Sequence, residues 1–286
     1  MINFNGKLVD NADSKLSSEN RGYKYGDALF ETLKVVNGTI FFWEDHYFRL
    51  MASMRIMRMK IPMNFTMEFF QAEILKTIEA NDLSTTAARV RLSVDRGEGG
   101  KYLPSDTAKV NFNIVAQSIA NPFYSIDPEA NYTVDLYKDY FMAPGLLSGL
   151  KSNNKALQVM GSIYAEENDL NNCLVLNTNK NVIEALNGNL FLVKGDKVKT
   201  PPLEDGCLRG VMRKQILEVL AKDVNIYTEE ASISPFELQK ADALFITNVI
   251  SGIIPIKKYR KKVYTHDLAQ DLIKKLNAKL RLTTIG

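Results

Sequence analysis

Glu184-Ala185-Leu186-Asn187-Gly188-Asn189-Leu190-Phe191 is the stretch from which the rest of the chain can be placed. The short apolar runs at 182–184 and 189–193 both read as strands. Taken alone, Glu184 reads as a polar residue on a strand surface. Downstream, Val198-Lys199-Thr200-Pro201 leads to Leu208-Arg209-Gly210-Val211-Met212-Arg213, and the spacing predicts a helix over 210–222. Upstream, Gly149-Leu150-Lys151-Ser152-Asn153-Asn154 stands just before a helix predicted over 155–168, with a further strand at 173–176. A lysine so placed suits a Schiff-base former, because burial lowers its pKa and frees the amine as a nucleophile. On its own, Lys151 reads as a solvated surface lysine.

Towards the N-terminus, residues 2–9 alternate loosely and end in a polar turn. Residues 29–36 form a β-branched run that stops at Asn37-Gly38, a hairpin signal, with a return strand expected at 40–43. Asp45 offers an N-cap, and Tyr47, Leu50, Met51, Met54 and Met57 follow at helical spacing. A second helix is predicted over 67–81, and strands at 88–94 and 110–117. The polar, proline-containing segment 118–122 reads as a linker. The division expected is a smaller domain over 1–117, the linker at 118–122, and a larger domain over 123–286 that carries Lys151. Beyond it, strands are expected at 132–136, 224–227, 243–247 and 253–256, and a closing helix at 267–282. The class is α+β, with the natural ligand site in a cleft between two domains.

Composition narrows the chemistry. The 286 residues are 45% hydrophobic and 24% charged, an ordinary globular balance. A net charge of +3, from 36 basic and 33 acidic residues, gives no nucleic-acid footprint. Cys173 and Cys207 stand far apart without metal-ligand spacing, so neither a disulfide framework nor a metal site is expected. Only His46 and His266 are present, and neither sits in a nucleophile-elbow context or a paired zinc motif. Arg96-Gly97-Glu98-Gly99-Gly100-Lys101 is glycine-rich but lacks the first glycine of a phosphate loop and runs into Leu103-Pro104, so by itself it reads as a flexible turn. Residues 241–256 are broken by Asp242, Thr247, Asn248 and Ser251 and are too polar to span a bilayer. The N-terminus shows no secretory pattern, and a soluble cytoplasmic protein is expected.

Read together and in order, these segments resemble the class IV pyridoxal-phosphate enzymes, the family of branched-chain aminotransferases, D-amino acid aminotransferases and aminodeoxychorismate lyases. The likeness rests on the Glu184–Phe191 stretch quoted above, on Thr200 and on the Gly210-Val211-x-Arg213 helix start. Tyr25-Gly26-Asp27-Ala28-Leu29-Phe30-Glu31 and Asp45-His46-Tyr47-Phe48-Arg49-Leu50 extend it through the N-terminal half. It implies the two-domain α+β architecture called fold type IV, with pyridoxal 5′-phosphate in the interdomain cleft. Lys151 would form the covalent link to the cofactor and then act as general base and acid. Glu184 would face the ring nitrogen and favour its protonated form. Arg49, the Val211 and Met212 amides, Thr247 and Asn248 would hold the phosphate. Tyr25 and Phe30 would shape the substrate pocket. A small-molecule substrate and a homodimer are implied as well.

Within the family the pattern looks closer to aminodeoxychorismate lyase. Asn248 stands where such lyases carry a substrate-contacting asparagine. Thr32 stands where they place a hydroxyl for proton transfer. Arg96–Lys101 is similar to their Arg-Gly-x-Gly-Gly-Arg loop, with Lys101 as the cation for a substrate carboxylate. The reaction so implied converts 4-amino-4-deoxychorismate to 4-aminobenzoate and pyruvate, a step of folate synthesis. The alternative is a transaminase of branched-chain or D-amino acids. A relative that keeps the fold without activity is a third reading, against which Lys151, Glu184 and Arg49 all speak. Leu186 occupies a position that is small in the family, and Val249 one that is threonine in many transaminases.

Overall fold

A computed structural model describes residues 1–284 of the chain, which divides into two compact units. The first comprises Met1–Pro122, Lys151–Asn154 and residues 283–284; the second comprises Phe123–Leu150 and Lys155–Leu282.

In the first unit the order is β1 (Ile2–Phe4), β2 (Lys7–Val9), α1 (Arg21–Tyr25), β3 (Ala28–Val36), β4 (Thr39–Ile40), α2 (Trp43–Ile56), α3 (Met67–Glu79), β5 (Ala87–Asp95) and β6 (Asn111–Ser118). The strands form one antiparallel sheet in the order β2-β1-β6-β5-β3-β4. Alternation along β3 and β5 sends Leu29, Leu33 and Val35, with Val90, Leu92 and Val94, into the core beneath α2 and α3. Asn37 and Gly38, at φ 48° and 77°, make the tight turn joining β3 to β4.

The return strand expected at 40–43 stops at Ile40. Phe42 takes a left-handed conformation, φ 56°, and swings the chain into α2 at Trp43. Asp45 therefore lies inside the first turn, where it complements the helix dipole instead of capping it.

The segment Lys151–Asn154 groups with this unit and not with the residues around it in sequence. β4 pairs with β3 only at Val35 and Val36, so the N-terminal end of β3 keeps that edge open. There Phe30 N–H donates to the Lys151 carbonyl and Asn153 N–H to the Ala28 carbonyl, at 2.9 Å each. The candidate catalytic lysine is thus set by sheet-like pairing.

In the second unit the order is β7 (Thr133–Met142), α4 (Ala156–Glu167), β8 (Asn172–Asn177), β9 (Val182–Ala185), β10 (Gly188–Lys194), β11 (Lys197–Thr200), α5 (Val211–Leu220), β12 (Tyr227–Glu230), α6 (Pro235–Lys240), β13 (Ala243–Asn248), β14 (Gly252–Ile256), β15 (Lys258–Tyr259), β16 (Lys262–Val263) and α7 (Asp267–Thr284). The strands build a mixed ten-stranded sheet, with β13 and β14 branching from β10. Its main core joins Val134, Leu174, Val182, Leu190, Leu244, Ile246 and Ile256. The strand expected at 224–227 forms three residues later, because it is the parallel pairing of Tyr227–Glu230 with β11 that defines it; Val224 is left exposed. Among the described residues no helix is long and apolar enough to cross a membrane.

Candidate active site

In the first unit the candidate residues radiate from β3, whose two faces do different work. Phe30 and Thr32 point to one face. Lys151 Nζ lies 4.5 Å from the centroid of the Phe30 ring, and the Arg91 guanidinium lies 3.6 Å from it. Arg91 is the cross-strand neighbour of Thr32 and donates from Nη2 to Asn153 Oδ1 at 3.0 Å. Two cations, the Lys151 amine and the Arg91 guanidinium, therefore share the Phe30 ring.

Glu31 points the other way, into the core against α2, and is 1% exposed. Arg49 grips its carboxylate with Nε at 2.8 Å and Nη2 at 2.5 Å, and His46 Nδ1 approaches Oε2 at 2.7 Å. Burial alone would push the Glu31 carboxyl up; the Arg49 charge and the His46 hydrogen bond outweigh it and hold it at about 2. Burial pushes His46 down against the pull of Glu31, so its ring is neutral, donates from Nδ1, and leaves Nε2 buried without a partner. Neither Glu31 nor His46 was singled out by sequence reasoning. The signal was present: Glu31 has the core-facing parity of Leu29, Leu33 and Val35, and a carboxylate at such a position demands a partner.

Tyr25 ends α1 and packs at 5.6 Å on Tyr102, with the Arg21 guanidinium 5.1 Å from its ring. The glycine-rich segment after β5 is not the flexible turn that its composition suggested. Arg21 donates to the carbonyls of Gly99, Lys101 and Tyr102, while Arg21 and Arg96 both hold Asp27, at 2.9 and 2.8 Å. Gly97, Gly99 and Gly100 all have positive φ, and side chains there would strike backbone or Ser105, so glycine is required. Lys101 is displayed on this anchored loop with its side chain exposed.

In the second unit the candidates gather around the start of α5. Glu184 on β9 is buried and accepts the Leu208 N–H at 2.8 Å. Its cross-strand partner Asn189 donates to the Leu208 carbonyl, also at 2.8 Å. Together they clamp the segment that delivers Gly210, the N-cap of α5. Gly210 has no side-chain cap to offer, and a Cβ there would lie 1.9 Å from Asn189 Oδ1. The Val211 and Met212 amides are thus presented at an uncapped helix start. Thr247 pairs with Asn189 across β13 and β10, and its buried hydroxyl has no partner. Uncapped amides and an orphaned hydroxyl form a donor set that suits an anion such as a phosphate.

Asn248 Oδ1 accepts the N–H groups of Ile250 and Ser251, at 3.1 and 2.8 Å, and so shapes the turn after β13. At Val249 the backbone is engaged: its carbonyl accepts the Tyr124 hydroxyl at 2.6 Å. Leu186 packs over Gly161 of α4, where a Cβ would lie 2.4 Å from Leu186 Cδ2; the bulk at this position is accommodated by that glycine. Cys173 and Cys207 are buried free thiols, pushed by burial to about 11 and about 12.

The first unit thus carries the candidate lysine, and the second a buried carboxylate and a candidate anion cradle. The profile of the amino-transferase class IV family matches residues 28–259, and the chain belongs to that family of pyridoxal-phosphate-dependent enzymes. A putative branched-chain-amino-acid aminotransferase of Methanocaldococcus jannaschii is 30% identical over 281 residues, 98% of this chain and 95% of that protein. The branched-chain aminotransferase of Thermoproteus uzoniensis, solved with norvaline, superposes with a TM-score of 0.85 at 23% identity, covering 96% of this chain and 92% of its own; that likeness is one of fold. The 4-amino-4-deoxychorismate lyase of Pseudomonas aeruginosa superposes at 0.79 with 28% identity, covering 98% of each chain. The fold is thus the two-domain α+β fold of the family, and the expectation of a specifically lyase-like chain is not favoured by these likenesses.

Proposed function

We propose that the protein is a pyridoxal-phosphate-dependent transaminase that moves an amino group from a branched-chain amino acid to a 2-oxo acid. The observation that carries this reading is the 30% identity, end to end, with a protein named a putative branched-chain aminotransferase.

When bound, pyridoxal phosphate supplies an electron sink for the charge left on the substrate carbon. The chain's own residues supply the rest. Lys151 Nζ anchors the cofactor and then carries the proton taken from the substrate carbon. Glu184 sets the protonation of the ring nitrogen, its second oxygen being fixed by Leu208 N–H. The Val211 and Met212 amides, the Thr247 hydroxyl, Asn248 and Arg49 hold the phosphate. Phe30 and Tyr25 supply apolar walls for an aliphatic side chain. Thr32 and Lys101 bind the polar end of the substrate.

The assembly proposed is a cytoplasmic homodimer. Supporting it, α4 exposes Val159, Met160 and Ile163 at 56%, 54% and 46%, side by side on one helical face.

The test is an absorption titration of protein loaded with pyridoxal phosphate. Valine, leucine or isoleucine should bleach the visible band, and a 2-oxo acid should restore it. Conversion only with D-alanine would move the substrate class to D-amino acids. A band unmoved by every donor, together with pyruvate release from aminodeoxychorismate, would overturn the transaminase in favour of the lyase.

A further inference from the structure

In the first unit Arg49, assigned above to the phosphate, is tied to two buried residues that the reaction does not account for, Glu31 and His46. We infer that Glu31, steadied by His46, is a positioning residue that fixes the plane of the Arg49 guanidinium for phosphate. This rests on the proposal that Arg49 binds the cofactor phosphate.

The geometry carries the argument. Arginine has five donors in a rigid fork, and the Nε–Nη2 edge of Arg49 lies flat against both oxygens of Glu31. That contact removes the rotational freedom that a long side chain otherwise loses on meeting a ligand. Glu31 is itself immobile: it is buried on the central part of β3, whose backbone pairs with Leu92 of β5. His46 lies one turn before Arg49 on α2 and donates Nδ1–H to the oxygen that also receives Nη2. A neutral imidazole there adds a hydrogen bond without adding charge.

Two effects oppose each other. The Glu31 charge weakens the attraction of Arg49 for an anion. Without that charge, however, Arg49, with a side chain 11% exposed, would lose the bidentate contact that fixes its plane. Losing a buried charged partner is strongly unfavourable, and the guanidinium would shift from its site. Orientation outweighs repulsion, and the sign of the mutant effect reports it.

The experiment compares the affinity of the full-length protein for pyridoxal 5′-phosphate and for pyridoxal, which lacks the phosphate. Arg49→Ala tests the underlying assignment: it should weaken pyridoxal phosphate and leave pyridoxal unchanged, and equal loss for both would remove Arg49 from the phosphate site. Glu31→Gln should weaken pyridoxal phosphate about tenfold with pyridoxal unchanged. Glu31→Asp, which keeps the charge and shortens the reach, should lose affinity in the same selective way and serves if the amide variant does not fold. His46→Asn keeps a donor near the Nδ1 position and should bind like the parent, whereas His46→Leu should show part of the Glu31→Gln loss. If the Glu31 variants bind pyridoxal phosphate as well as the parent does, or better, or lose both ligands equally, while Arg49→Ala stays selective, the positioning role is overturned and the arginine assignment stands.

Discussion

Lys151 and Thr247 illustrate two kinds of candidate residue, one singled out by its amine and the other by an unmet hydrogen bond. The Lys151 main chain is held by its pairing with Phe30, so truncating the side chain leaves that link intact. Lys151→Ala should therefore fold, keep its melting temperature within a few degrees, and lose donor-driven bleaching by a factor of about 10² or more, the usual scale for removing a general acid–base group. Single-turnover absorption measurements check this. Thr247→Val should behave oppositely in the empty and loaded protein. A buried hydroxyl without a partner costs stability, so its removal should leave the empty protein's Tm unchanged or raised. If that hydroxyl serves the phosphate, the same change should weaken pyridoxal phosphate binding several-fold. Thermal melts with and without cofactor separate the two effects.

Elements were legible where their own periodicity defined them and obscure where tertiary pairing did. β3, β5, β10, β13 and the helices α3, α4, α5 and α7 follow apolar spacing closely enough to be read from the chain. The start of α2 was misread because it depends on one left-handed residue, Phe42, which no pattern in 40–45 signals. β12 was misplaced because it is defined by its parallel partner β11. The candidate site divides the same way. Lys151, Glu184 and the helix start at Gly210 were legible as motif residues. Glu31 and His46 emerge only when α2 lies over β3, and Arg21 only when it folds back on the glycine loop. Packing also sets hard limits inside elements. Gly188 opens β10 against β13, and a Cβ there would lie 2.7 Å from the Thr247 carbonyl oxygen. Since that neighbour is backbone, Gly188→Ala should cost about 1–3 kcal/mol. Denaturant unfolding should show it as a lower midpoint with unchanged slope.

At the scale of the whole molecule, acidity and self-association are the accessible tests. Glu31 and His46 both titrate lower in the fold than their ordinary values of 4.5 and 6.5. A group depressed by folding contributes stability above its free value and loses it as the pH falls. His46 should therefore begin to destabilise the protein as the pH drops below about 6.5, and Glu31 should add to this between about 4.5 and about 2. Melting temperatures should fall through both windows, and Glu31→Gln should reduce the fall in the lower one. On the surface, Val159→Lys with Ile163→Lys should convert a dimer to a monomer in sedimentation velocity, with little change in helix content. The buried thiols add a built-in clock. Cys173 and Cys207 are both shielded within the second unit, and as thiols they are poor nucleophiles. An alkylating reagent can reach them only during transient opening, so mass spectrometry of timed labelling would read how often that unit breathes.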